Sequence, residues 1–345
     1  MYKIVLTLII IPFFAISQVE KSEEKLESLP HFGNQRSIEN WLEENKIPAI
    51  GIGIIESGKL SNINVYGNLK KNEPAPYNTI FKIASLTKPI VSILTLKLVS
   101  NGDWDLDEPL DKYWIDPDVT DDPKHKQLTT RHILTHQTGF LNWRRQHKTK
   151  KLTFDFEPGT NFRYSGEGYE YLKKALERKF KMSLEKLADS LLFQPIGMPD
   201  TKFTWQRGVD EKRFAFNHDK DGEMLETVRN EKAYASDLML STLEDYGKFA
   251  EFVINGAGLT EEIYQKMIDL QVETPNESYF GLGWEIIPDW YGEKILMHSG
   301  GDPGVRTLMI LNLQKKKGII IFTNSDNGGY LLWEKTIIEP ILRDE

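Results

Sequence analysis

The sequence predicts an α+β protein in which segments from both ends of the chain form one antiparallel sheet flanked by helices. A mainly helical lobe is expected between them. Short β-prone runs occur near both ends of the 345-residue chain. Those near the C-terminal end follow one another too closely for crossover helices, so they are expected to pair antiparallel. The middle, about residues 103–260, shows helical spacing interrupted by loops.

The first elements follow from their hydrophobic patterns. The apolar residues of 37–44 recur at helical spacing, and the polar, glycine-containing residues 56–59 indicate a hairpin between two β-prone runs. Residues 90–99 are apolar on nearly every side, which predicts a buried helix that ends at Asn101-Gly102. Such a helix has no polar face to expose and therefore belongs in the core.

The later elements follow in the same order along the chain. Ser241 or Thr242, with Asp245 three residues after Thr242, indicates the capped start of a helix. The predicted strands are 49–55, 62–66, 281–287, 294–297, 305–311 and 318–323. The predicted helices are 37–44, 90–99, 131–135, 168–180, 184–192, 242–252 and 330–342.

The first 17 residues have the features of a secretory signal peptide. Lys3 precedes an apolar run, and a small-residue cleavage site lies before Gln18. The run is shorter than the roughly 20 residues that cross a bilayer, so a signal peptide is favoured over an anchor. Residues 18–34 are then a lead-in and 35–342 a single domain. We expect a secreted or periplasmic protein without a stable membrane anchor.

Composition narrows the chemistry. The chain has no cysteine, which excludes disulfides, thiolate metal sites and a cysteine nucleophile. Its net charge of −8 argues against nucleic acid as a partner, because such surfaces are usually basic. His132 and His136 have a spacing that could chelate zinc, but the zincin glutamate and a third ligand are missing, so packed or capping roles are favoured. No cofactor or metal is predicted.

Ser85 and Lys88 are the first candidates for catalysis. Pro89 cannot lie deep in a helix, so the buried helix begins near Ser85. The Ser85 hydroxyl and the Lys88 amine then share one face at positions i and i+3. A lysine that loses its proton can activate a serine, and a helix start favours a developing oxyanion. A serine N-cap beside a solvated lysine is the alternative that these residues alone leave open.

Several short blocks, in order, resemble the serine β-lactamase and penicillin-recognising hydrolase superfamily, especially its class C-like branch. They are Phe81–Pro89 with Ser85-Leu86-Thr87-Lys88, Arg131–Gly139, Pro158-Gly159-Thr160, Tyr164-Ser165-Gly166, Pro195-Ile196-Gly197-Met198, Ser241–Asp245 and His298-Ser299-Gly300-Gly301. Together they cover about residues 35–342. The resemblance implies a β-lactamase/transpeptidase-like fold.

The resemblance also implies roles for individual residues. Ser85 would be the acylated nucleophile, Lys88 its proton acceptor, and Tyr164 the shuttle to the leaving group. A phenol can do this only if a cation such as Lys88 depresses its pKa. The amides of Ser85 and Gly301 would form the oxyanion hole. His298, Ser299 and Gly300 would line the cleft and orient the substrate, with His298 partly charged near neutral pH.

Two positions depart from the family pattern. The third motif begins with His298 where lactamases usually carry lysine, and the usual Tyr-x-Asn is here Tyr164-Ser165-Gly166. Gly166 supplies no carboxamide, and Glu167 could replace some of that polarity by pairing with Lys88 or with a substrate amine. A solvated carboxylate at a helix start is the alternative for Glu167.

These observations lead to one expected function with two alternatives. We expect an exported serine hydrolase that acts through an acyl-enzyme on a small ester, amide or D-amino-acid peptide. A β-lactamase or D-Ala-D-Ala carboxypeptidase proper is the first alternative, and a non-catalytic binding protein on the same scaffold is the second. The expected partner is a small-molecule or peptide substrate, with a cell-wall peptide among the candidates.

Overall fold

The structure is a computed structural model that describes residues 35–205, 208–329 and 335–342. The predicted signal peptide, 1–17, and lead-in, 18–34, lie outside the described residues. The strands are β1 Ala49–Glu56, β2 Lys59–Lys70, β3 Glu73–Pro74, β4 Phe81–Lys82, β5 Leu240–Ser241, β6 Val272–Glu273, β7 Tyr279–Phe280, β8 Glu285–Trp290, β9 Glu293–Asp302, β10 Val305–Asn312 and β11 Lys317–Thr323. The helices are α1 Gln35–Glu44, α2 Thr87–Ser100, α3 Thr130–Leu134, α4 Gly166–Phe180, α5 Leu184–Ala188, α6 Gln194–Ile196, α7 Leu243–Ile254, α8 Glu261–Ile268 and α9 Lys335–Leu342.

The main sheet combines strands from both ends of the described chain. Its nine strands are antiparallel in the order β3-β2-β1-β11-β10-β9-β8-β7-β6. N-terminal β1 pairs with C-terminal β11, with Ile50 opposite Thr323. This confirms the predicted α+β class and the single antiparallel sheet. The β1–β2 turn places Ser57 and Gly58 at positive φ, 52° and 74°, as a tight hairpin requires.

Helices cover both faces of the sheet. Ile38 of α1 and Leu342 of α9 pack in one cluster with Ile50, Ile310 and other sheet residues on one face. On the other face α7 lies close to β1, because a Cβ at Gly51 would stand only 2.8 Å from Leu243 Cδ1. Although α7 falls within the predicted helical lobe, it therefore belongs to the packing of the sheet. The division into domains stays a prediction.

The structure differs from the predicted elements at several boundaries. The strand expected from 281 begins at Glu285, because Gly281 donates to the Trp284 carbonyl and Gly283 has φ +89° in a loop. The helix predicted at 184–192 continues from α5 through a π-helical turn into α6. Helix α8 was not predicted, although its cap, Thr260, accepts from Ile263 N.

The last predicted helix, 330–342, is described only as α9, and residues 330–334 lie outside the described part. No helix among the described residues is both long enough and apolar enough to cross a membrane.

Candidate active site

Ser85 lies at the point where the chain enters the central helix. A 3-10 turn, Ala84–Leu86, runs directly into α2 at Thr87. Ala84 has φ +47°, in the left-handed region that residues with side chains rarely occupy. Backbone strain of this kind concentrates at functional sites. Ser85 is partly exposed, whereas Ala84 and Leu86 on either side are buried.

Lys88 reaches Ser85 from the first turn of α2. Its side chain is 1% exposed, and its Nζ donates to Ser85 Oγ at 3.0 Å and to the Ser236 carbonyl at 2.8 Å. Burial lowers the pKa of Lys88 to about 8, although the charges of nearby carboxylates act in the opposite direction. The solvated lysine of the alternative interpretation is therefore not what the structure shows.

Tyr164 completes a triangle with these two residues. Its hydroxyl is hydrogen-bonded to Ser85, and its ring centroid lies 4.8 Å from Lys88 Nζ. Burial raises the pKa of Tyr164 above its ordinary value. The predicted depression of this pKa is therefore wrong, because desolvation of the phenolate outweighs the lowering effect of the hydrogen bond with Ser85. Of the two, Lys88 is the group whose pKa lies near neutrality.

His298 lies on β9 and is neutral. Burial, together with the charge of Lys88, lowers the pKa of His298 to about 3, so the predicted partial charge is wrong. Its Nδ1 lies 2.8 Å from the Ser299 carbonyl, which places the ring proton on Nδ1 and leaves Nε2 as a lone-pair acceptor. Nε2 is buried and has no hydrogen-bond partner among the described residues.

Gly300 brings β9 against Ser85. A Cβ at this position would stand 3.0 Å from Ser85 N and 2.7 Å from the Ile83 carbonyl oxygen. Glycine therefore permits an approach that any side chain would obstruct. Gly301 follows on the same strand and is exposed. This places the strand beside the Ser85 amide, as the predicted oxyanion hole requires, while the hole itself stays a prediction.

Glu167 does not join this group in the way the sequence suggested. Its carboxylate accepts from Arg144 N at 2.9 Å and from Arg144 Nε at 3.0 Å, and the residue is 7% exposed. It is therefore neither a partner of Lys88 nor a solvated carboxylate. Its partner, Arg144, lies 23 positions earlier in the chain, so the spacing of residues within the Tyr164 motif could not predict this contact.

Two side chains of helix α4 bind residues 233–236, and the sequence did not predict this contact. Glu170 Oε1 accepts from the amide and the hydroxyl of Ser236, at 3.1 and 2.7 Å. Lys173 Nζ donates to the Ala233 carbonyl. These bonds fix the stretch whose carbonyl receives the Lys88 amine. Every residue has a backbone carbonyl, so the sequence could not show that the Ser236 carbonyl binds Lys88. The charged residues on α4 were the one signal that could have indicated this contact.

Two carboxyl groups, those of Asp237 and Asp302, lie near enough to Lys88 to interact with its charge. Asp302, the residue after Gly301, is hydrogen-bonded to Asp237. Burial, reinforced by the charge of Asp237, raises the pKa of Asp302 to about 8. The pair therefore holds a proton near neutral pH. The sequence signal that could have indicated a role for Asp302 is its position directly after His298-Ser299-Gly300-Gly301.

The two histidines considered as zinc ligands have other partners. His132 Nδ1 accepts from Thr129 N in the cap of α3, and His136 Nδ1 accepts from Ser165 N. His136 is fully buried and stacks on Tyr164 with ring centroids 4.2 Å apart. Both therefore have the capping and packing roles that the sequence favoured. Among the described residues no group of three or more His, Asp or Glu side chains could hold a metal ion.

The sequence model of the family described as Beta-lactamase matches residues 34–332. This chain belongs to the Beta-lactamase family. Proteins similar to the chain include one named Beta-lactamase and one named Penicillin-binding protein 4*. The match confirms the family resemblance seen in the sequence. The chain that brings Ser85, Lys88 and Tyr164 together therefore belongs to a serine hydrolase family.

This member of the Beta-lactamase family has low sequence identity to its named relatives. It is 24% identical to Protein flp of Staphylococcus aureus (strain COL) over 83% of this chain and 61% of the relative. It is 24% identical to a Beta-lactamase of Escherichia coli (strain K12), covering 77% and 73%. It is 24% identical to Penicillin-binding protein 4* of Bacillus subtilis (strain 168), covering 76% and 64%. The chain thus spans about three-fifths of the length of Protein flp.

A solved structure shares the fold. The octameric penicillin-binding protein homologue from Pyrococcus abyssi superimposes with a TM-score of 0.75 at 25% identity. The match covers 86% of this chain and 74% of that one. The fold expected for the family is therefore confirmed.

Proposed function

We propose that this chain is an exported serine hydrolase that forms an acyl-enzyme on Ser85 and cleaves a small ester, amide or D-amino-acid peptide. One observation carries the proposal: Lys88 Nζ lies 3.0 Å from Ser85 Oγ in a buried setting that lowers the Lys88 pKa to about 8. A useful fraction of the amine is then unprotonated near neutral pH and directed at the hydroxyl.

The reaction follows from this geometry. Ser85 Oγ attacks the substrate carbonyl while its proton passes to Lys88, and the oxyanion is held by the amides of Ser85 and Gly301. The bond to the leaving group then breaks as the neutral Tyr164 hydroxyl gives the leaving group a proton and receives the one that Lys88 took from Ser85. No phenolate forms in this relay, so it does not need a lowered Tyr164 pKa. A water molecule next attacks the acyl-enzyme, releasing the acid and returning a proton to Ser85. Protons balance over the cycle, and no redox partner is needed.

The third motif supports an ester or amide without a carboxylate tail. His298 is neutral, and its free nitrogen is an acceptor, so it offers no positive charge to a carboxylate. The Asp237 and Asp302 pair interacts with Lys88 through its charge and adds no cation to the site. β-Lactam or D-Ala-D-Ala turnover should therefore be weak. Export, to the periplasm or outside the cell, is supported by the leader-like residues 1–17.

Intact-mass spectrometry after brief exposure to 4-nitrophenyl acetate tests the proposal. The expected result is a gain of one acetyl group, abolished in Ser85→Ala and retained in Ser61→Ala, an exposed serine in β2. A penicillin is expected to give little or no adduct. An acetyl adduct that persists in Ser85→Ala, or no adduct with any acyl donor while ligands still bind, would favour the non-catalytic alternative.

A further inference from the structure

His136 has a backbone conformation that histidine rarely adopts. It follows the C-terminal end of α3 with φ +56°. Its amide donates to the Ile133 carbonyl at 3.1 Å, in the kind of turn that closes many helices. Glycine is the usual residue at this left-handed position, because a side chain there costs free energy. A fully buried side chain at such a position indicates that its contacts offset this cost.

Both backbone amides beside Tyr164 donate to His136. Arg163 N donates to the His136 carbonyl at 2.7 Å, and Ser165 N donates to His136 Nδ1 at 3.1 Å. Tyr164 itself lies just before α4, outside the helices and strands of the described chain. Because its backbone is not part of a regular element, these two bonds constrain the direction in which the Tyr164 side chain projects.

The imidazole ring of His136 also packs on the phenol ring. The centroids of the His136 and Tyr164 rings are 4.2 Å apart with 35° between the planes, and the Phe280 ring meets His136 edge-on at 4.8 Å. Burial lowers the pKa of His136 well below its usual value, so the ring is neutral. Nδ1 carries the lone pair that accepts from Ser165 N, and the ring proton therefore lies on Nε2.

These contacts give His136 a role that acts through another residue. Its Nδ1 lone pair is already used by the Ser165 amide, and the residue is fully buried, out of reach of a substrate. Tyr164 is partly exposed, and its hydroxyl is hydrogen-bonded to Ser85. A tilt of the Tyr164 backbone would move this hydroxyl away from Ser85. A displacement of about 1 Å in a reacting group can reduce a rate by about a hundredfold.

We propose that His136 is a positioning residue that holds the Tyr164 hydroxyl in place for proton transfer to the leaving group. The inference rests on the proposed function, in which the proton passes from Ser85 through Lys88 and Tyr164 to the leaving group. His136 exchanges no proton in that cycle. Loss of its contacts should therefore slow those substrates whose leaving group must receive a proton as the bond breaks, and spare those whose leaving group is stable as an anion.

Two esters that differ in the basicity of the leaving group test this role. Phenyl acetate releases a phenolate whose conjugate acid has a pKa of about 10, whereas 4-nitrophenyl acetate releases a much weaker base. His136→Gly fits the left-handed backbone and removes both the acceptor and the ring. We expect its kcat/KM to fall by about tenfold or more on phenyl acetate and by less than about threefold on 4-nitrophenyl acetate. His136→Phe, which keeps a ring in this space without an acceptor, should show the same selective fall.

The variant His136→Asn separates positioning from packing. Asparagine tolerates positive φ and can place an acceptor oxygen near the position of Nδ1, so its kcat/KM on phenyl acetate should stay within about threefold of the native value. His132→Ala is the matched control, because His132 Nδ1 also accepts from a backbone amide, that of Thr129 in the cap of α3. This control should keep the native preference between the two esters.

The ratio of the two kcat/KM values decides the result. An equal fall on both esters in His136→Gly and His136→Phe, or no fall in either variant, would overturn the proposal. A loss on phenyl acetate that His136→Asn does not recover would also overturn it. Urea denaturation of each variant establishes that the protein assayed is folded. If the native protein is acylated by neither ester, the proposed function itself fails, and that result differs from any change in the ratio.

Discussion

In the proposed mechanism, burial of the Lys88 amine sets the pH range in which Ser85 can be acylated. The proposed base is the neutral amine, so acylation is expected to follow the fraction of Lys88 that has lost its proton. With a pKa of about 8, kcat/KM for a neutral ester should rise about tenfold per pH unit below that value and level off above it. Initial rates between pH 6 and 10 measure this limb. A flat profile across that range would show that Lys88 is not the base.

Asp237 tunes the same group through its charge. Of the carboxylates near Lys88 it makes the largest contribution toward raising the Lys88 pKa. Asp237→Asn should therefore move the ascending limb to lower pH. Asp103→Asn, at an exposed position, should leave the limb unchanged. A shift of the limb to higher pH in Asp237→Asn would refute this assignment.

Gly300 and Gly301 offer a matched pair of substitutions. In Gly300→Ala the new methyl group would meet Thr307 Oγ1 at 2.4 Å, the Ile83 carbonyl at 2.7 Å and Ser85 N at 3.0 Å, so β9 must move away from Ser85. We expect acylation to fall at least tenfold and the free energy of unfolding to drop by about 1–3 kcal/mol. In Gly301→Ala the nearest atom is Arg306 Cδ at 3.9 Å, so stability should be nearly unchanged. Urea denaturation and acyl-labelling rates measure both effects.

Among the elements, the start of α4 depends on an ion-pair network. Arg144 joins Glu167 of this helix to Asp116 and Asp118 of a separate segment. Arg144→Ala would leave Asp116 and Glu167 largely buried without their partner, so we expect a loss of about 2–4 kcal/mol in the free energy of unfolding. Arg145→Ala, which removes a contact between an exposed guanidinium and the Trp143 ring, should cost less than about 1 kcal/mol. Similar losses in both variants would contradict this network.

Local signals predicted the elements better than the contacts between them. The hairpin at Ser57-Gly58, the buried helix α2 and the Thr242 cap depend on residues close in sequence, and all three are present. The Ser85, Lys88 and Tyr164 triangle followed from motifs in the family's order. Residues that act through distant partners were missed, Glu170 among them. The pKa of Tyr164 was misjudged for a related reason: burial depends on the packing of the whole site, which no motif encodes.

In the whole molecule, the site depends on the main sheet as much as on the helices. Thr307 Oγ1 of β10 donates to the Ile83 carbonyl at 2.9 Å, and Tyr246 Oη of α7 donates to the Leu86 carbonyl at 2.8 Å. These bonds hold the turn on both sides of Ser85. Loss of the sheet should therefore remove the nucleophile from its position.

A core substitution in the sheet tests this coupling. Ile321→Ala, at a fully buried position of β11, should lower the free energy of unfolding by about 2–5 kcal/mol. Ser85 labelling and tryptophan fluorescence should be lost at the same urea concentration, and at a lower one than in the native protein. Asn62→Ala, on an exposed position of β2, is the control. Labelling that survives beyond the fluorescence transition would contradict the coupling.

The pairing of β1 with β11 has a consequence for biosynthesis. Ile50 pairs with Thr323 in the central part of the sheet. Strand β1 is synthesised early and can pair with β11 only after β11 has been synthesised. Contacts between residues so far apart in sequence form slowly, and a chain that lacks them exposes apolar edges. The nascent chain should therefore carry Ser85, Lys88 and Tyr164 without activity until β9, β10 and β11 have been synthesised. If the chain is exported as proposed, such delayed closure would leave the polypeptide unfolded during translocation.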